Sequence, residues 1–76
     1  MKPQQNIISH LRRYRMSANG MTQQELADKV GVTRQTIFSI EKGKYSPSVG
    51  LALRLAEIFE STVEQLFELE KGTNDV

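Results

Sequence analysis

The chain has 76 residues, 38% of them hydrophobic and 25% charged, with a formal net charge of +1 at pH 7. A chain of this length makes one domain, and it buries only about 60–65% of its unfolded surface, so the expectation is a compact helical core or a dimer contact. It holds no cysteine, which excludes disulfides and thiolate metal sites. Without a long apolar run or a signal-peptide pattern, it is expected to be soluble and cytoplasmic.

Met1 to Gln4 read as a loose end, and residues 5–16 as a first helix, with Ile7, Ile8, Leu11 and Tyr14 near helical spacing. Arg12, Arg13 and Arg15 are either solvated helix charge or phosphate contacts, and Arg15 has the further option of an internal pair with Glu41. His10 stands without a second His or any Cys, so neither a metal nor a catalytic role is expected of it. Ser17 to Gly20 form a turn, and Met21 is placed to act as a hydrophobic staple.

Thr22 is a good N-cap, and Glu25 sits where its carboxylate reaches back to the Thr22 N–H, forming a capping box. Leu26, Ala27 and Val30 then mark the inner face of a second helix, 23–30. Gly31 supplies the positive φ of a sharp exit, and Val32 plugs the corner. Thr33 caps a third helix, 34–42, whose Ile37 and Ile40 face inward, and Gly43 closes it. On a helical wheel Gln35, Ser39 and Lys42 lie opposite the isoleucines, with Phe38 beside them and Arg34 at the N-terminal end. Arg, Gln and Ser are the residue types that hydrogen-bond to base edges in the DNA major groove. An outward face of this kind, held by a second helix through a tight turn, defines a helix-turn-helix. A merely solvated face on a helical hairpin would not call for the ordered set of cap, glycine, plug and two isoleucines.

Lys44 to Ser48 form a loop, in which Ser46 is placed to cap a fourth helix, 47–59, with Pro47 at its first position. Thr33, Lys42, Lys44 and Tyr45 flank the outward face and are candidates for backbone phosphates, which fix register without reading sequence. Surface lysines in a loop are the plain alternative for Lys42 and Lys44. Val49, Ala52, Leu53, Ala56 and Phe59, with Leu55 beside them, are expected in the core. Thr62 and Gln65 form a second capping box before a last helix, 63–69, with Val63, Leu66 and Phe67 inward and a short strand at 68–71 as an alternative ending. The domain thus spans 5–69, and 70–76 is a flexible polar tail.

The small net charge hides an asymmetry. Residues 1–45 hold eight Lys/Arg against three Asp/Glu, a net +5, and residues 46–76 hold two against six, a net −4. A basic front carrying the outward helix suits a polyanion, and an acidic back fixes which side docks.

The run TQQELADKVGVTRQTIFSIEKGKYSPS, followed by an apolar helix, LAEIF and VEQLF, resembles the Cro/repressor-type helix-turn-helix family. It is closest to that family's small stand-alone bacterial and archaeal regulators. Gln23, Ala27, Gly31, Ile37, Ile40, Gly43 and Pro47 carry the match, whereas Glu60 stands where a glycine is common. The resemblance implies an all-α, lambda-repressor-like domain of five helices with the helix-turn-helix at the second and third. It implies that Gln23 contacts a phosphate and buttresses the third helix, that Arg34, Gln35 and Ser39 face bases, and that Glu41 pairs with Arg15. It also implies a homodimer on a near-palindromic site.

These observations lead to a sequence-specific DNA-binding transcriptional regulator, a repressor, as the expected function. Arg34 would read a guanine and Gln35 an adenine, while Phe38 lies against a thymine methyl or packs on a neighbour. The expected dimer surface is Thr62, Val63, Leu66 and Leu69. The alternative is a protein-interaction module, such as the antitoxin of a toxin pair, suggested by the acidic stretch after Phe67. No cofactor and no small-molecule ligand are implied. An enzyme is not expected, since the chain lacks a Gly-rich phosphate loop and a carboxylate pair placed for a pocket.

Overall fold

A computed structural model describes residues 7–70. In chain order the elements are β1 (Ile7–Ser9), α1 (Leu11–Ser17), α2 (Gln23–Val30), α3 (Arg34–Glu41), α4 (Val49–Ile58), α5 (Val63–Leu66) and β2 (Phe67–Leu69). Leu11, Leu26, Ile37, Ile40, Leu55 and Leu66 are fully buried, so all five helices contribute to one core. No helix among the described residues is long and apolar enough to cross a membrane.

Helices α2 and α3 are where the sequence places them, but both ends of the domain and the start of α4 differ. The first helix begins at Leu11, not near residue 5; of its expected start, residues 5 and 6 lie outside the described residues. Ile7–Ser9 is instead a strand, antiparallel to Phe67–Leu69, in the register Ile7↔Leu69, Ile8↔Glu68, Ser9↔Phe67. The all-α expectation is therefore corrected to a mostly helical fold with a two-stranded sheet. Two adjacent β-branched residues favour an extended backbone, and a partner strand is supplied only by the far end of the chain. Helical spacing within a short apolar run cannot separate these outcomes. The last helix stops at Leu66 for the same reason, because Phe67 turns to extended backbone (φ −138°, ψ 145°) and enters the sheet. The expected tail falls mostly outside the described residues.

A second correction concerns α4. Its N-cap is Ser48, whose hydroxyl accepts from the Leu51 N–H at 3.1 Å, not Ser46, and Pro47 lies before the cap. The buried face is Leu51, Ala52, Leu55 and Ala56. Val49 and Leu53, expected in the core, are 76% and 57% exposed. Phe59 packs on the core only in part, tilted against Tyr14 with ring centroids 6.1 Å apart.

Candidate nucleic-acid interface

The site begins with the capping box of α2. The Glu25 N–H donates to Thr22 Oγ1 at 3.0 Å, and the Thr22 N–H donates to Glu25 Oε1 at 2.8 Å. The helix leaves through Gly31 at φ +78°, where the N–H groups of Gly31 and Val32 both donate to Ala27 O, at 2.8 and 3.0 Å. Val32 packs against the core at the corner. Thr33 then starts α3, its hydroxyl accepting from the Thr36 N–H at 3.2 Å. Buried Ile37 and Ile40 fix the rotation of α3 about its axis.

That rotation decides what faces outward. Arg34, Gln35 and Phe38 are exposed and Ser39 is half-buried. Phe38 has a neighbour as well as an open face, because Lys42 Nζ sits 5.5 Å from its ring centroid. Lys42, Lys44 and Tyr45 are exposed beyond the C-terminal end of α3, as is Thr33 before its start, although the Thr33 hydroxyl is engaged by the cap and by Thr36 Oγ1 at 3.0 Å. The structure thus brings the expected base-facing and phosphate-facing residues onto and around one element.

Behind this surface lies a polar cluster. Arg15, on α1, reaches Glu41 with two parallel contacts, Nε to Oε2 at 2.6 Å and Nη2 to Oε1 at 3.1 Å, and donates from Nη1 to Met21 O at 2.6 Å. Of the open alternatives for Arg15, the internal pair is the one present. Both side chains are over nine-tenths buried, so the bidentate geometry and extra hydrogen bonds are what make the pair tolerable. Gln23 Nε2 donates to Glu41 Oε1 at 3.1 Å, and Arg34 Nη1 donates to Gln23 Oε1 at 3.4 Å. One hydrogen-bonded chain therefore runs from α1 through the end of α3 and the start of α2 to the exposed N-terminal end of α3. Arg12 and Arg13 remain exposed, the latter over the Tyr14 ring.

The far side of the molecule is organised differently. His10 Nε2 lies 2.7 Å from Glu68 Oε2, joining the start of α1 to β2. Among the expected dimer residues, Thr62 and Leu69 are exposed and Val63 is half-buried. Leu66 is 0% exposed within the single chain: it is a core residue and has no surface to offer a second copy. The apolar residues that the sequence did not single out there are Val49 and Leu53. With Val63, Phe67, Pro47 and Ile7 they line a shallow apolar groove.

The geometry defines a helix-turn-helix module with a small sheet joining its ends. A family model described as helix-turn-helix matches residues 11–66, and the chain belongs to this Cro/repressor-type, or XRE-type, family. It is 47% identical over 58 residues to a protein of Methanocaldococcus jannaschii, spanning 76% of this chain and 88% of the relative. It is 58% identical over 48 residues, 63% of this chain and 69% of the relative, to a protein of Archaeoglobus fulgidus. A Bacillus subtilis protein is 48% identical over 52 residues, 68% and 79% of the two chains. Each of these relatives is named an uncharacterized HTH-type transcriptional regulator.

Proposed function

We propose that this protein is a sequence-specific double-stranded DNA-binding transcriptional regulator that acts as a repressor, occupying a near-palindromic operator as a homodimer. The observation that carries the reading is the outward side of α3: Arg34, Gln35 and Phe38 stand in solvent while Ile37 and Ile40 are buried on the opposite side. The names of the relatives and the basic front support it. In this reading Arg34 bonds a guanine and Gln35 an adenine, Phe38 meets a thymine methyl, and Ser39 lines the same face. Gln23, Thr33, Lys42, Lys44 and Tyr45 hold phosphates on either side.

One such helix reads only a few base pairs, so two half-sites about 34 Å apart are needed for genomic specificity. The second copy docks on the apolar residues that α4 leaves outside, Val49 and Leu53, together with Val63 and Leu69, with Thr62 at the rim. Selection of bound duplexes from a random pool tests the whole reading. The expected product is a two-fold symmetric site with one-turn spacing, and an unenriched pool would refute it. Within that site, Arg34→Ala is expected to cost about 1–3 kcal/mol and relax preference at one position, whereas Lys44→Ala weakens all sequences alike.

A further inference from the structure

Gln23 stands between two groups of opposite hydrogen-bonding character. Behind it is the Glu41 carboxylate, 4% exposed and already held by Arg15. In front of it is the Arg34 guanidinium. A carboxylate only accepts and a guanidinium only donates. The amide between them satisfies both in one orientation, with Nε2 toward Glu41 at 3.1 Å and Oε1 toward Arg34 at 3.4 Å. Turned over, it would set a carbonyl against the carboxylate and an NH2 against the guanidinium.

We propose that Glu41 is a positioning residue for base recognition: through the Gln23 amide it holds a fixed acceptor against the start of α3, which demands a donor at position 34 and aims the Arg34 guanidinium. The inference rests on Arg34 reading a base, as proposed above. One of the five guanidinium N–H groups is engaged by Gln23, and the other four include the pair that a bidentate guanine contact needs. Arg15 belongs to the same device, because its two contacts fix the Glu41 carboxylate in the place from which it accepts from Gln23. Glu41 thus influences sequence preference from a position that touches no nucleic acid.

The test compares two duplexes, the site selected by the wild-type chain and the same site with the base pair facing Arg34 exchanged. Discrimination is the ratio of the two affinities. Gln23→Leu keeps the Arg15–Glu41 pair and removes the acceptor, and the ratio is expected to fall about 5-fold, the low end of what a bidentate base contact supplies. Gln23→Lys keeps a donor toward Glu41, but it places a cation against Arg34 and favours DNA of any sequence. Its expected signature is a raised affinity for the exchanged duplex and a ratio at least as low. The double variant Arg15→Met/Glu41→Leu replaces the buried pair by apolar groups, a change that buried pairs often tolerate, and leaves Gln23 free to turn. Its ratio is expected to fall as in Gln23→Leu although Gln23 itself is intact, with thermal unfolding reporting the fold; should it not fold, the two Gln23 variants decide alone. An unchanged ratio in Gln23→Leu overturns the proposal, as does an unchanged ratio in a folded double variant. Equal loss on both duplexes also overturns it, leaving Gln23 a plain phosphate contact. Arg34→Ala is the control: if that variant keeps the ratio, base reading by Arg34 is what fails.

Discussion

Three of the residues in the left-handed region end helices with the same bond back to the carbonyl five residues earlier, and they do so on different terms. Gly31, Gly43 and Glu60 have φ of +78°, +76° and +51°, and in each case the next residue donates back across the helix end: Val32 to Ala27 O, Lys44 to Ser39 O and Ser61 to Ala56 O. A side chain in this region costs roughly 1–2 kcal/mol, so Glu60 bears a strain the two glycines avoid. Glu60→Gly removes that strain but frees the unfolded chain by about 0.4–1 kcal/mol. The expected net gain is about 0.5 kcal/mol, a Tm rise of roughly 2–4 °C, measured by thermal unfolding. The opposite change separates the two glycines. Around Gly31 a Cβ would meet nothing, whereas at Gly43 it would lie 2.8 Å from Ile7 O. Gly31→Ala is therefore expected to cost about 1–2 kcal/mol, and Gly43→Ala about 1–3 kcal/mol more, as overpacking does. Equal costs would mean that β1 yields freely to the added carbon. The glycines were legible in the sequence as turn residues, and Glu60 as a departure from the family pattern. The approach of β1 to Gly43 was not, because it depends on a pairing between chain ends that no local pattern encodes.

At the scale of elements, what was legible follows what is locally determined. Both capping boxes are formed, Thr22 with Glu25 and Thr62 with Gln65, because cap and partner lie three residues apart and need nothing else. The isoleucines of α3 are buried as their spacing requires. The α4 start was misplaced because Ser46-Pro47 and Ser48 both satisfy local cap chemistry, and only packing chooses between them. Starting at Ser48 sets Leu51 and Leu55 in the core. The choice has a measurable consequence: Ser48→Ala is expected to cost about 1 kcal/mol, the usual worth of an N-cap, while Ser46→Ala stays within about 0.5 kcal/mol as a surface change. Urea midpoints of the two variants check this, and the reverse order would return the cap to Ser46. The sheet is the other nonlocal choice. It spends Phe67 and Leu69 on pairing rather than on another helical turn, and α5 is left with four residues, anchored by its capping box and by Leu66.

For the whole molecule, the surface that no helix covers is apolar on the side of α4 that carries Val49 and Leu53, and the proposed second copy covers it. The prediction concerns how dimerisation and DNA affinity move together. Leu53 is exposed within the chain, so Leu53→Glu is expected to leave the monomer folded while halving the mass in sedimentation equilibrium. Linking two half-sites multiplies affinity by about 10²–10⁴ without any new contact, so the variant should lose at least about 100-fold on the symmetric site and little on an isolated half-site. A new negative charge also repels DNA on its own account, which would mimic part of this loss. Leu53→Lys separates the two causes. Simple repulsion predicts that the lysine variant binds every duplex more tightly than wild type. A broken interface predicts that it, too, loses the symmetric site while gaining slightly on half-sites, because two like charges then face each other across the two-fold axis. Should both variants keep the wild-type mass, the apolar face of α4 is not where the copies meet.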